Sequence, residues 1–276
     1  MKGIVLAGGR ATRLRPLTKI TSKQLLPVYN KPMIYYPIET LINAGITDIL
    51  IIVAPEYAGH FLNLLGSGRE FGAKFTYEIQ EEPRGLADAF IVGETFIGQD
   101  SVTMILGDNI FDHDFSKEIQ GFKEGGMVFA KKVHDPQRFG VVEFDKDHHV
   151  ISIEEKPKEP KSNYAVVGMY TYDNSVVEIA KHLAPSERGE IEITDINNVY
   201  REKHKLQVKM IEGVWEDAGT FDSLLRVSTI MAQKACAQDG HNIEGLKDLK
   251  WELQEKSEEI RELSEAVQEH LDGERS

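Results

Sequence analysis

A chain of 276 residues, 41% of them apolar and with aromatics spread throughout, can bury a large core as one big domain or two small ones. Its net charge of −13 argues against nucleic acid and against an anionic membrane surface as partners. The single cysteine, Cys236, excludes an internal disulfide and fits a reducing cytoplasm, and no apolar stretch approaches the roughly 20 residues that span a bilayer.

The elements alternate from the start. Gly3-Ile4-Val5-Leu6 is an apolar run of the kind that forms a buried parallel strand, too short and too soon followed by glycines and arginines to be a signal peptide. Met33 to Ala44 carries apolar residues at helical spacing and stops at Gly45. Strands are predicted over Asp48 to Val53, Ala73 to Gln80 and Ser101 to Leu106, with helices over Glu56 to Leu65 and Ala87 to Phe96 between them. That rhythm predicts an α/β fold: a three-layer, Rossmann-like architecture on a mainly parallel sheet.

From Met127 the rhythm changes. Strands at Met127 to Ala130, Gly140 to Phe144, Val150 to Ile153 and Val166 to Tyr170 are joined by turn-rich links, so antiparallel pieces are expected. Helices follow over Asn174 to Leu183 and Ile193 to Lys203. A strand over Leu206 to Glu212 precedes a long helix that begins after Trp215-Glu216-Asp217-Ala218-Gly219-Thr220 and runs to about Ala237. A catalytic domain over 1–238 and an amphipathic helical tail over 239–276 are expected. Leu246, Leu249, Leu253, Ile260, Leu263 and Val267 form the apolar stripe of that tail. Packing on its own domain and contact with another copy both satisfy the stripe.

Three groups of residues carry chemistry. The first strand ends at Ala7-Gly8-Gly9, where bare backbone N–H groups can approach a ligand, and the cations Arg10, Arg13, Arg15 and Lys23 follow. A nest of donors with point charges is what a polyphosphate needs. The loop lacks the Gly-Lys-Ser/Thr of a P-loop and the spaced glycines of the dinucleotide fingerprint. Asp108 and Asp217 stand at strand ends, expected open to solvent, and suit a hard divalent cation; a strand-end aspartate after glycine is equally a turn former. Asp112 and Asp114 read as turn and cap residues. Glu154-Glu155-Lys156-Pro157, taken by composition, is a solvated surface pair.

Together these strings resemble a known signature. Leu6-Ala7-Gly8-Gly9, Thr12-Arg13-Leu14 and Lys23-Gln24-Leu25-Leu26-Pro27 are similar to the sugar-nucleotide pyrophosphorylases, a nucleotidyltransferase family, and most similar to its members that use dTTP and glucose 1-phosphate. The likeness runs from Met1 to about Ala235 and implies the nucleotidyltransferase topology for the sheet. Leu106-Gly107-Asp108-Asn109 and Trp215-x-Asp217 look like its two magnesium motifs, implying Mg²⁺ on Asp108 and Asp217. By the same likeness Ala7, Gly8, Gly9, Thr12 and Gln24 hold the nucleotide, and Gln80 and Gly85 contact the pyrimidine. Glu155 bonds the sugar, Gly140 and Val166 line its pocket, and Arg188 adds charge near the sugar phosphate. Arg13 and Lys23 neutralise the triphosphate while Lys156 places the attacking phosphate. Asp108 also belongs to the implied substrate site.

The implied partners are small molecules only, in a cytoplasmic homo-oligomer. A rival within the family uses UTP, which differs by one methyl group. A non-catalytic nucleotide-sugar sensor would be expected to lose Arg13, Lys23, Asp108 or Asp217, and all four are present. Two departures stand out: Ala11 replaces the family's usual glycine, and Phe139 replaces a tyrosine before Gly140. The tail does not match the terminal helices of longer members, so no second, regulatory nucleotide site is implied.

Overall fold

The protein is described from a computed structural model over residues 1–9, 11–146 and 149–239. The chain enters through β1 (Lys2–Ala7), passes a basic loop of single 3-10 turns, and makes the hairpin β2 (Pro27–Val28) and β3 (Lys31–Pro32). It continues through α1 (Tyr35–Asn43), β4 (Asp48–Val53), α2 (Ala58–Leu65), β5 (Lys74–Ile79), α3 (Asp88–Val92), α4 (Glu94–Ile97) and β6 (Val102–Leu106). The second half holds β7 (Asn109–Phe111), α5 (Ser116–Gly121), β8 (Gly126–Lys132), β9 (Gly140–Phe144), β10 (Val150–Glu155) and β11 (Tyr164–Tyr172). It closes with α6 (Ser175–His182), α7 (Ile193–Glu202), β12 (Leu206–Met210), β13 (Trp215–Asp217) and α8 (Phe221–Asp239). Met1–Val227 is one compact unit; of the second, Ser228–Asp239 is described. Arg10 and the apolar stripe from Leu246 to Val267 lie outside the described residues.

The main sheet runs β10-β9-β11-β6-β1-β4-β5, with β8 beside β11 and β12 beside β8. β1 pairs parallel with β4 and β6, and β4 with β5. β11 runs antiparallel to β6, β8 and β9. Side chains alternate between two cores. Ile4, Leu6, Leu50 and Ile52 face α3, α6 and α7 through Phe90, Val176 and Ile196. Val5, Ala7, Ile49 and Ile51 face α1, α2 and α5 through Ile38, Phe61 and Ile119. Strands buried on both faces need apolar residues at every position, which explains the unbroken runs in β1 and β4.

The sheet grows from β1 to β4 and β5 on one side and returns to β6 on the other. That reversal opens a crevice at the carboxyl ends of β1 and β6, the place where open α/β sheets bind ligands. Gly8-Gly9 and Gly107-Asp108 both stand there, and Gly107 N donates to Leu6 O at 2.9 Å.

Two features were not legible in the sequence. The helix expected over Ala87 to Phe96 is two short helices meeting at Gly93, where a β-carbon would lie 3.0 Å from Ala89 O and close on Leu50 and Ile4. The second is a small ribbon off the main sheet. β7 pairs antiparallel with β13, setting Asp217 opposite Asn109, and Ala218 N donates to Asp108 O at 2.9 Å. This ribbon brings acids 109 positions apart in sequence to one place.

Gly168 shows how closely the ribbon is tied to the sheet. The β11–β8 register shifts between Val166 and Tyr170, and there Gly168 N donates to Asn109 Oδ1 at 3.1 Å. A β-carbon on Gly168 would lie 2.5 Å from that oxygen and 2.8 Å from Leu106 Cδ1. Gly168→Ala should therefore displace Asn109 and destabilise the protein by about 1–3 kcal/mol, read as a lower midpoint in denaturant; an unchanged midpoint would contradict the close packing.

Candidate active site

The glycine loop is shaped by its neighbours. A β-carbon on Gly8 would lie 2.7 Å from Gln80 Oε1, and Gly9 takes a φ of +137° that only glycine adopts with ease. Ala11 sits at φ 45°, ψ 41°, so it keeps the left-handed conformation a glycine would take, and Thr18 Oγ1 donates to its carbonyl at 2.7 Å. Ala7 is buried beneath the loop and Thr12 is exposed on it. Lys23 forms an ion pair with Asp108 Oδ2. Gln24 is not brought to the cavity described below. It is 1% exposed, its Oε1 accepts from Ser22 Oγ at 2.5 Å, and its methylenes pack beneath Gly107.

The β7–β13 ribbon packs the two acids inward, so that Asp108 is closed to solvent and Asp217 is half-buried. Asp108 is buried. Burial pushes its carboxyl up, but the charge and hydrogen bond of Lys23, with a bond from Asn109 Nδ2 at 3.1 Å, hold it below its ordinary range. Asp217 goes the other way. Burial and the negative charge of Asp108 push it up to about 6, against Lys23, Arg13 and Arg138. Its Oδ1 is buried and has no hydrogen-bond partner among the described residues. Two like charges share this corner, one satisfied and the other short of a cation.

Beside the acids lies a cavity of about 250 Å³. Of the expected residues, Arg13, Gly140, Glu155, Lys156, Val166 and Asp217 line it. Glu155 is gripped from three directions: Thr194 Oγ1 donates to Oε2 at 2.8 Å, while Lys156 Nζ and Arg188 Nη2 lie 3.3 and 3.8 Å from Oε1. Arg188 is mainly committed to Glu192, with Nη2 at 2.8 and 2.9 Å from its two oxygens, and it does not line the cavity. Asn109 and Trp215, from the two implied magnesium motifs, line it as well, and so does Phe139; Arg138, Tyr170, Thr194 and Asn197 also line it, and the sequence reading gave these four no role. Part of this was findable. Val166, Gly168 and Tyr170 share a strand face by period two, and Thr194 and Asn197 share a helix face by spacing of three. Burial raises Tyr170, as do the charges of Glu155 and Asp108 that it faces. Phe139 packs on Trp215 with ring centroids 5.1 Å apart, which gives the ring a role without a hydroxyl.

Gln80 and Gly85 stand apart from that cavity. Gln80 directly follows β5 and lines a separate opening with Gly9 and Arg15. Gly85, at φ +105°, lies so close to the backbone of Ile191 that no β-carbon fits. Its conformation is therefore required by packing. Arg84 turns away to Asp88 at 2.7 Å. Asp114 Oδ1 accepts from Ser116 N at 2.9 Å, as a turn residue does.

The site thus joins a glycine edge, a cation–carboxylate corner and a polar cavity. The nucleotidyl transferase family model matches residues 2–234. The glucose-1-phosphate thymidylyltransferase of Neisseria meningitidis is 50% identical over 257 residues, 91% of this chain and 89% of that one. The enzyme of the same name from Mycolicibacterium smegmatis is 52% identical over 233 residues, 83% of this chain and 81% of that one. A Bacillus anthracis protein solved in complex with sucrose has a TM-score of 0.79 and 49% identity, covering 83% of this chain and 94% of its own. UDP-glucose pyrophosphorylase complexed with UDP-glucose gives 0.75 at 25% identity, covering 84% and 98%. No helix among the described residues is long and apolar enough to cross a membrane. With the motifs, the switch-point crevice and these likenesses all in agreement, the chain belongs to the nucleotidyl transferase family.

Proposed function

We propose that this chain transfers a thymidylyl group from dTTP to glucose 1-phosphate, giving dTDP-glucose and pyrophosphate, with residues 1–238 as the catalytic domain. The observation that carries the reading is the corner where Lys23–Asp108 and Arg13 beside Asp217 meet a cavity lined by Glu155 and Lys156. The relatives' names support the substrate pair.

The donor set fits Mg²⁺. Among the described residues no cluster of three or more His, Cys, Asp or Glu gathers for a metal. Two carboxylates, one with a buried unpartnered oxygen, leave the remaining positions to phosphate oxygens and water, as magnesium prefers. Asp108 and Asp217 would hold the ion, which would supply positive charge to the phosphates.

The chain's own residues do the rest. A sugar-phosphate oxygen is already an anion, so in-line attack on the α-phosphorus requires no general base. Arg13 and Lys23 neutralise the triphosphate and the departing pyrophosphate. Glu155, held by Thr194, accepts from sugar hydroxyls, and Lys156 steers the attacking phosphate. Gly8 and Gly9 admit the nucleotide backbone-first, and Gln80 meets its base.

A pyrophosphate-release assay with glucose 1-phosphate and each of dTTP, UTP, CTP, ATP and GTP tests the reading; release with dTTP in clear excess is expected, and none with dTTP would refute it. Lys156→Ala should raise KM for glucose 1-phosphate about 10- to 100-fold, the size of a lost charged hydrogen bond, while Arg13→Ala should act on dTTP. The reverse pattern would mean that the two halves are assigned backwards.

Asp217 yields a test without turnover. Its folded value of about 6 lies above its ordinary 3.8, so its contribution to stability is full below 3.8 and lost as pH rises through 6. Asp108, held low, has the opposite sign and acts below that window. In chelator, Asp217→Asn should therefore melt higher than the parent at pH 8, and the difference should shrink towards pH 4. Mg²⁺ should raise the parent's melting temperature at pH 8 and leave the variant's nearly unmoved. Equal response of both proteins to Mg²⁺ would remove Asp217 from the metal site. The same variant should lose about a hundredfold or more in turnover.

A further inference from the structure

Asp88 is a carboxylate 1% exposed that no step above employs. Arg84 Nη2 donates to its Oδ1 at 2.7 Å, and Gln80 Nε2 donates to its Oδ2 at 2.8 Å. The two ends of a glutamine amide are nearly alike in shape, and only chemistry tells them apart. Here the chemistry is decisive. A carboxylate facing a guanidinium accepts hydrogen bonds and donates none, so the NH₂ of Gln80 must face Asp88.

The amide oxygen is then turned to the opposite side. Gln80 Oε1 lies 2.7 Å from where a β-carbon on Gly8 would stand, and it has no hydrogen-bond partner among the described residues. Gln80 itself is 7% exposed and lines an opening of about 630 Å³ with Gly9 and Arg15, at the carboxyl edge of the sheet. An acceptor is thus fixed, unpartnered, over the glycine loop that the nucleotide is proposed to occupy.

We propose that Asp88 is a positioning residue for base selection: by holding the NH₂ of Gln80 it presents the amide oxygen to a ring N–H, so that the site accepts thymine-type bases and refuses cytosine. The inference rests on the proposed nucleotidyl transfer and deepens it. Thymine and uracil carry N–H at N3 and give Gln80 Oε1 its missing donor. Cytosine carries a bare N3, an acceptor, and would set two lone pairs against each other. A buried group left unpaired in this way is what gives polar sites their large discrimination. Asp88 needs no contact with the nucleotide to act.

A plain structural salt bridge between Asp88 and Arg84 would stabilise the turn without touching base choice, and the selectivity ratio separates the two. We would measure kcat/KM for dTTP and dCTP, and their Kd by calorimetry with Mg²⁺ present, on the parent, Asp88→Asn and Asp88→Ser. The parent should favour dTTP by about 10³-fold or more. Both substitutions offer Gln80 a donor as well as an acceptor, so its amide can turn, and the dTTP:dCTP ratio should fall about 10- to 100-fold. A parent-like ratio in either folded variant would overturn the proposal. Were neither variant to fold, the parent still decides: similar Kd for dTTP and dCTP would overturn it. A parent that binds dTTP selectively but transfers nothing would instead count against the transfer reading, leaving base selection supported.

Discussion

The side chain of Asn109 is the point on which the site depends. Its NH₂ donates to Asp108 Oδ1 at 3.1 Å, and its oxygen accepts from Gly168 N at 3.1 Å and from Trp215 Nε1 at 2.7 Å. One buried amide thereby joins the end of β6, the irregular centre of β11 and the start of β13. The direction of every bond is fixed, because the carboxylate only accepts and the indole and backbone N–H only donate. A buried network with every member satisfied has one low-energy arrangement, and it holds the two acids in a single register. An aspartate in this place would bring a third negative charge into the same corner.

That corner is costly by design. Burial and mutual repulsion push Asp217 up to about 6, while Asp108 is kept charged by Lys23. Stability alone would favour an amide at one of the two positions. Two like charges coupled in one corner fit the proposed Mg²⁺, since charges that repel each other attract a shared cation. The net charge of −13 points the same way: an acidic protein that handles polyanions must gather its cations locally, and Arg13, Lys23, Arg138 and Lys156 all stand at this place.

How much of this was legible follows from where each signal resides. β1 and β4 carry continuous apolar runs, and β6 carries one broken only by Thr103, so burial on both faces is the reading they favour. The residues at the ends of those strands were legible for the same reason, since a parallel sheet aligns its carboxyl edge. What escaped was long-range. β7 and β13 are three residues each, too short to carry periodicity, and nothing local says that they pair. The burial of Asp108 and of Asp217 Oδ1 escaped with them. Gln24 illustrates the converse: it lies within the motif that best marked the site, yet its side chain is turned inward to Ser22, because a motif records a loop's shape as well as its contacts.

The pair Glu155–Lys156 shows how the backbone makes a site out of an ordinary dipeptide. Adjacent residues of a strand point to opposite faces, so an extended chain could set only one of the two into the cavity. Lys156 instead takes a φ of +44°, a left-handed turn at the end of β10, with its N–H donated to Phe139 O at 3.0 Å. Such a conformation costs a lysine about 1–2 kcal/mol. It breaks the alternation at that residue, so both side chains line one cavity with charged atoms 3.3 Å apart. A solvated surface pair would have no reason to carry that strain. An acceptor for hydroxyls and a cation for phosphate, side by side on one wall, suit the proposed sugar phosphate, and the left-handed turn is the means by which two neighbours in sequence come to share that wall.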